Sequence, residues 1–139
     1  MSNIEQIQLE LIDEFQIFDN WLDRYQYIID LGKQLPEFPD EYRTDDFKLH
    51  GCQSQVWLKA KAENGLLYFH AESDSAIVSG LIALVMRVYS GQPAAEILST
   101  PPEFIRAIGL SEHLSPTRNN GLAAMISSIR DQAQACLAA

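Results

Sequence analysis

Across the first third of the chain, apolar residues recur at three- and four-residue steps: Ile4, Ile7, Leu11, Phe15 and Phe18. That is the period of a helix with one face turned to a core. Asp19-Asn20 offers a cap, and Trp21, Leu22, Tyr25, Ile28 and Ile29 then renew the stripe. Gly32 and the Pro36/Pro39 pair end the helical region and leave Pro36 to Asp46 as a polar connection. The period then changes to two. Gln55 to Ala62 and Leu66 to Glu72 flank Glu63-Asn64-Gly65, and Asn-Gly between alternating runs predicts a β-hairpin. Val56, Leu58 and Ala60 share one face of its first strand; Leu67, Phe69 and Ala71 share one face of the second. A short strand around Phe47 to Leu49 is expected to complete a three-stranded antiparallel sheet.

Helical spacing returns afterwards. Asp74 or Ser75 caps a helix over Ala76 to Tyr89, and Gly91 stops it. Pro93 opens a short helix over Ala94 to Leu98. Thr100-Pro101-Pro102-Glu103 opens another, which runs to Ile108 and Gly109. Ser115-Pro116 starts the last helix, whose stripe is Leu122, Met125, Ile126 and Ile129. The expected architecture is α+β, one domain over residues 1–139, with a small antiparallel sheet packed on helices from both chain ends.

Composition narrows the function classes. A hydrophobic fraction of 47% in 139 residues supports a core that needs neither metal nor disulfide. The net charge of −9 argues against nucleic acid and against anionic membrane surfaces, both of which call for a Lys/Arg face. Ala76 to Tyr89 is too short for a bilayer span of about 20 residues and contains Arg87, so it is expected to be a buried core helix. The opening Met-Ser-Asn-Ile-Glu-Gln lacks the basic and apolar regions of a signal peptide. The expected compartment is the reducing cytoplasm, with Cys52 and Cys136 both free.

Cys52 stands in His50-Gly51-Cys52-Gln53-Ser54-Gln55-Val56-Trp57, a polar turn feeding a strand, where a thiol can be presented outward. A hydrolase would need a histidine base. His50 points to the opposite side of the chain, His70 lies on the second strand and His113 falls in a late loop, so none makes a hydrolase signature. A dithiol oxidoreductase would need a resolving thiol, and Cys136 in its Ala-rich tail reads as an ordinary helix residue. Group carriage by one thiolate, with exchange at sulfur, needs neither. Gly51 removes bulk beside the thiol, and Gln53, Ser54 and Gln55 supply uncharged donors and acceptors, although such residues are equally ordinary in turns. Asp74 reads first as a helix-start residue. Arg118 sits where the helix dipole disfavours a cation, so it serves a partner or an internal acidic group, or is simply a solvated arginine. Glu37, Asp40, Glu41, Asp45 and Asp46 form either a solvated loop or a negative rim that steers a basic partner.

Gly51-Cys52-Gln53-Ser54-Gln55-Val56-Trp57 resembles the signature of the SufE family of sulfur acceptors. The resemblance extends in order to the blocks Tyr25–Pro36, Ser73–Ala83 and His113–Leu122, and so covers nearly the whole chain. The wording after the cysteine looks more like SufE than its paralogue CsdE. The resemblance implies an IscU-like fold. It also implies a protein that takes persulfide sulfur from the pyridoxal-phosphate cysteine desulfurase SufS, stimulates that enzyme and passes sulfur to the SufBCD scaffold for Fe–S cluster assembly. Cys52 would carry the persulfide. The Cys loop (Gly51, Gln53, Ser54, Gln55 and Trp57), Asp74 and Arg118 would serve docking or loop positioning. His50 and Cys136 carry no role over. The chain itself would be a carrier rather than an enzyme and would bind neither metal nor other cofactor, pyridoxal phosphate staying on the desulfurase. A homodimer fits the same picture.

Two further expectations follow. Val56, Trp57 and the Ala76–Tyr89 helix should pocket the resting thiol, with the loop swinging outward on docking, because a persulfide is easily reduced or oxidised. The competing reading is an Fe–S scaffold of the IscU type, which would want several converging soft ligands where this chain offers one well-placed cysteine.

Overall fold

A computed structural model describes residues 3–50 and 54–138; Gly51, Cys52 and Gln53 lie outside the described residues. The chain opens with helices α1 (Asn3–Phe15) and α2 (Trp21–Gly32), followed by two single 3-10 turns, Asp40–Tyr42 and Asp45–Phe47. The hairpin strands are β1 (Val56–Glu63) and β2 (Leu66–Ser73). Then come α3 (Ala76–Tyr89), β3 (Gln92–Pro93), α4 (Ala94–Ser99), α5 (Phe104–Ile108), α6 (Leu110–His113) and α7 (Pro116–Ala138). The α+β architecture with a three-stranded antiparallel sheet is as the residue pattern predicts.

The expected caps form. Asn20 accepts from the backbone N–H of Asp23, and Ser75, not Asp74, caps α3 by accepting from Val78. At the hairpin, Asn64 (φ 54°) and Gly65 (φ 80°) both take the left-handed conformation that a tight two-residue turn requires. The alternation of β1 and β2 buries Val56, Leu58, Leu67, Phe69 and Ala71 on one face. They meet α3, which buries residues around most of its circumference, including Leu81, Leu84, Val85 and Val88. Two glycines bring α2 against α3: a Cβ on Gly80 would lie 2.2 Å from the Ile28 carbonyl oxygen, and one on Gly32 would lie 2.5 Å from the Gly80 nitrogen.

The third strand differs from expectation. It is Gln92–Pro93, paired beside β2, and not Phe47–Leu49. Lys48 makes a single bridge to Trp57, and the Leu49 N–H donates to Val56 O at 2.8 Å. The residues before it coil into a 3-10 turn because Tyr42 and Phe47 pack edge to face (5.2 Å) and close over the Lys59 ammonium, which lies 5.5 and 5.4 Å from their ring centres. The α1 stripe also differs in detail. Gln8 is buried within it, with Nε2 donating to Pro101 O (3.1 Å) and Oε1 accepting from the Phe104 N–H (2.9 Å), so a satisfied amide ties α1 to the start of α5. Leu22 is 77% exposed and leaves the α2 stripe.

Candidate functional site: a cleft beside the cysteine loop

The loop that carries Cys52 is anchored on both sides. Upstream, the run from Phe38 to Leu49 is strapped across the outer face of the sheet. Arg43 Nη2 donates to Glu72 Oε1 at 2.9 Å, Arg43 also pairs with Asp40, and its guanidinium lies 5.9 Å from the Phe38 ring centre. The Arg43 hydrogen bond holds the Glu72 carboxyl below the usual carboxylate range. Downstream, Asp74 and Gln55 bond reciprocally: the Gln55 N–H donates to Asp74 Oδ1 (3.1 Å) and the Asp74 N–H to Gln55 O (3.3 Å). Asp74 is therefore the clamp at the foot of the loop, not the cap of α3; Ser75 occupies the cap position, which leaves the neighbouring carboxylate free to reach the strand.

Where the chain returns from the loop, a cleft of about 80 Å³ opens, lined by Ser54, Val56, Val78, Leu81, Thr117, Arg118, Gly121, Leu122 and Met125. Its walls are mainly apolar, with Ser54 and Thr117 adding hydroxyls, and its one charged lining residue is Arg118. Both long helices begin here. Val78 is in the first turn of α3, and Thr117 and Arg118 are in the first turn of α7, where the Arg118 N–H donates to Ser115 Oγ (3.2 Å). Helix N-termini carry partial positive charge, so the guanidinium adds to a site already biased toward anions. Arg118 Nη1 donates to the Tyr25 hydroxyl at 3.3 Å, and the guanidinium has no carboxylate partner among the described residues.

The expected residues are divided by this geometry. Ser54 and Arg118 meet in the cleft, together with Val56 and the α3 residues Val78 and Leu81. Trp57 does not line it. It alternates to the outer face of the sheet, opposite Glu72 and bridged to Lys48, because it is one residue out of phase with Val56. Gln55 is exposed and acts through its backbone pairing with Asp74. Gly51, Cys52 and Gln53 lie outside the described residues.

Of the histidines, His113 is not in a loop. It ends α6, stacks on Trp21 (4.3 Å, 14°) and places Nδ1 2.8 Å from Gly109 O. His70 is exposed on β2, opposite Lys59, and His50 is exposed in the bend before the cysteine loop. Cys136 is half-buried on α7 against the core. The five carboxylates of the strap, Glu37, Asp40, Glu41, Asp45 and Asp46, lie at the surface. Among the described residues no group of three or more His, Cys, Asp or Glu converges on a metal-sized site, and no helix is long and apolar enough to cross a membrane.

A family model described as SufE, Fe-S metabolism associated domain, matches residues 9–133. The chain belongs to the SufE family. An uncharacterised SufE-like protein of Rhizobium etli is 45% identical over all of this chain and 95% of its own length. One from Rhizobium meliloti is 46% identical over the full length of both. The solution structure of a hypothetical protein from Thermus thermophilus superimposes with a TM-score of 0.79, covering 96% of this chain and 97% of its own. At 22% identity that likeness speaks for the fold alone, over nearly the whole chain.

Several cleft residues were not singled out by the sequence as site residues: Val78, Leu81, Thr117, Leu122, Met125 and, through Arg118, Tyr25. Val78/Leu81 and Leu122/Met125 are i, i+3 pairs on helices predicted from periodicity. Such a pair marks a face without saying that the face ends in a cleft.

Proposed function

We propose that this SufE-family chain is a sulfur acceptor and carrier that works with a cysteine desulfurase of the SufS type. Cys52 is the acceptor. Its thiolate attacks the outer sulfur of the desulfurase's cysteine persulfide, the S–S bond to the desulfurase sulfur breaks, and that sulfur leaves as a thiolate. The product is Cys52–S–SH. The exchange balances with no external oxidant or reductant, and this chain has to supply no base. Accepting sulfur frees the desulfurase for its next turnover, which is how the carrier stimulates it. Delivery to a SufBCD-type scaffold follows by the same exchange in the cytoplasm.

The observation that carries this reading is the cleft beside Ser54, mainly apolar, with Arg118 as its one charged lining residue, and placed at the start of two helices. Cys52 stands two residues before Ser54, a reach of at most about 7 Å along any chain. A space of about 80 Å³ accommodates several water-sized groups, enough for a sulfane sulfur. Apolar walls slow attack by water-soluble reductants and oxidants, while the guanidinium and helix N-termini favour the anionic form that transfers sulfur. The surface carboxylates of the strap suit a basic docking surface on the desulfurase.

Incubation with a desulfurase, its pyridoxal phosphate and cysteine, followed by intact-mass measurement, tests the reading. A sulfur adduct is expected on the wild type and not on Cys52→Ala. An adduct of equal yield on Cys52→Ala would overturn the carrier assignment, and iron-dependent colour on the isolated chain would favour a scaffold of the IscU type instead.

A further inference from the structure

We propose that the turn joining α1 to α2 is a docking tip for the cysteine desulfurase: Ile17 and Leu22 enter an apolar socket on that enzyme, and the carboxylates around them meet Lys and Arg on its rim. The inference names a docking surface for the carrier reading and rests on it.

Ile17 and Leu22 are each 77% exposed; the next large hydrophobic among the described residues, Leu137, is 53% exposed. They stand on either side of one turn, Ile17 just past the end of α1 and Leu22 in the first turn of α2. Folding asks for an apolar side chain at neither position, and a first helical turn favours acidic residues. Apolar residues scattered singly over a surface are ordinary. Two at one turn, beside half-buried Phe18 and Trp21, give the aliphatic and aromatic composition of an interface core.

The turn is stiff. Phe18 packs on Tyr27 (ring centres 4.9 Å apart) and on Phe15 (6.3 Å), and Trp21 stacks on His113 (4.3 Å). Asn20 Oδ1 accepts from the Asp23 N–H at 2.9 Å, and Arg24 donates to Phe18 O (3.3 Å) and Ile108 O (2.8 Å). A tip held in this way has little conformational freedom left to lose on docking.

Charge selects the occupant. Asp13, Asp19 and Asp23 are exposed along the turn and its flanks. Arg24 is the only Lys or Arg before Lys33, and its guanidinium is taken up by the two carbonyls. On α5, which packs against α1, Arg106 pairs with Glu103 (3.3 Å). A second copy of this chain would bring like charges face to face, and an anionic membrane would repel them. A protein surface with an apolar socket and a basic rim is the complement. The position of the tip points to the desulfurase. His113, which Trp21 stacks on, ends α6; α7 starts at Pro116 and brings Thr117 and Arg118 to the cleft beside Ser54. Five residues of chain reach at most about 17 Å, and a standard interface of about 800 Å² per partner spans more than that. A partner that docks on the cleft therefore meets the tip as well.

The test measures binding of the pyridoxal-phosphate-loaded desulfurase to wild type, Ile17→Gln, Leu22→Gln and the double variant by biolayer interferometry. Both side chains are exposed, so Tm is expected to stay at the wild-type value, which separates docking from folding. Each single variant is expected to weaken binding about tenfold and the pair at least about thirtyfold, the scale of interface anchor residues. Asp13→Asn combined with Asp19→Asn is expected to slow association about threefold at low salt and to flatten its salt dependence.

A double-variant affinity equal to wild type would overturn the proposal, and an unchanged salt dependence would overturn the basic rim. A wild type that does not bind the desulfurase would also overturn it, as would a wild-type dimer that the double variant splits, which assigns the tip to a second copy. Sulfur loading of the wild type is followed by intact mass alongside. If the wild type loads and the double variant binds equally well, only the tip fails; if the double variant loses binding and the wild type takes no sulfur, the tip stands and the carrier reading fails.

Discussion

Gly80→Ala adds one methyl group at the crossing of α2 and α3. The new Cβ would lie 2.2 Å from the Ile28 carbonyl oxygen, 2.5 Å from Ile28 Cγ2 and 2.7 Å from the Ile28 carbonyl carbon. Two of the three obstructing atoms are backbone, so no rotamer change clears them. Bringing the closest contact up to 3.0 Å requires the helices to part by about 0.8 Å, the difference between 3.0 and 2.2 Å. A gap of that size forfeits roughly a quarter to a half of each dispersion contact along the interface. Overpacking of this kind costs about 3 kcal/mol at the upper end of its usual range. Alanine's better helix propensity returns about 1 kcal/mol. The net loss is about 2 kcal/mol, which for a chain of this length lowers Tm by about 6–8 °C.

Thermal unfolding followed by circular dichroism, together with urea denaturation, measures the change. Because α3 carries Val78 and Leu81 to the cleft, alkylation of Cys52 should change in the same variant. A Tm equal to wild type, or raised as propensity alone predicts, would refute the close helix crossing.

Val78→Phe fills the cleft from the α3 side and is expected to raise the iodoacetamide rate at Cys52 in the free protein about threefold or more by denying the thiol its shelter; an unchanged rate would show that the resting thiol does not use the cleft. Asp74→Asn keeps an Oδ1 acceptor for the Gln55 N–H and should behave nearly as wild type, whereas Asp74→Ala should lower Tm by about 3 °C and slow desulfurase-dependent loading. Equal effects from the two variants would assign Asp74 a role for its charge and not its hydrogen bond. The carboxyls of Glu14 and Glu72 sit below the ordinary carboxylate range, chiefly because Arg87 hydrogen-bonds the first and Arg43 the second. A depressed folded-state pKa contributes stability above the unfolded value and loses it as pH falls through the folded value, so the urea midpoint should drop progressively below about pH 4.5. Replacing both glutamates by glutamine should flatten that slope, and a slope unchanged in the double variant would place the acid sensitivity elsewhere.

Elements with a repeated local signal were legible in the residues. The alternation through Val56, Leu58, Leu67, Phe69 and Ala71, with Asn64-Gly65 between, dictated the hairpin and its buried face. The unbroken apolar run of α3 dictated a helix buried nearly all round. Where the pattern misled, a non-local contact had decided the outcome. Two residues, Gln92 and Pro93, are too few to show a period of two; they pair with β2 because Gly91, at φ 80°, turns the chain and its N–H donates to Leu67 O at 2.8 Å. Phe47 to Leu49 has strand-like composition, but Phe47 is drawn toward Tyr42 and Lys59 and coils the chain, so pairing with β1 is limited to the Lys48–Trp57 bridge and the Leu49 N–H bond to Val56 O. Gln8 takes a core position because a backbone carbonyl and a backbone N–H near residue 100 need its two ends.

The candidate site divides along the same line. Cys52 is conspicuous in sequence because its neighbours are local. Arg118 was conspicuous only as an electrostatic anomaly, a cation at the wrong end of a helix. Arg118 lines the cleft, and the phenol that its guanidinium bonds, Tyr25, is 93 residues distant, beyond the reach of any periodicity argument. Charge placement across the molecule follows the same logic. A chain of net charge −9 repels small anions from most of its surface, and its acidic strap favours a basic macromolecular partner. Beside the cysteine loop, two helix N-termini and an arginine without a carboxylate partner among the described residues reverse the sign locally. For a carrier of the kind proposed, that combination would repel stray anionic thiols in solution at long range and attract sulfur handed over within a docked complex at short range.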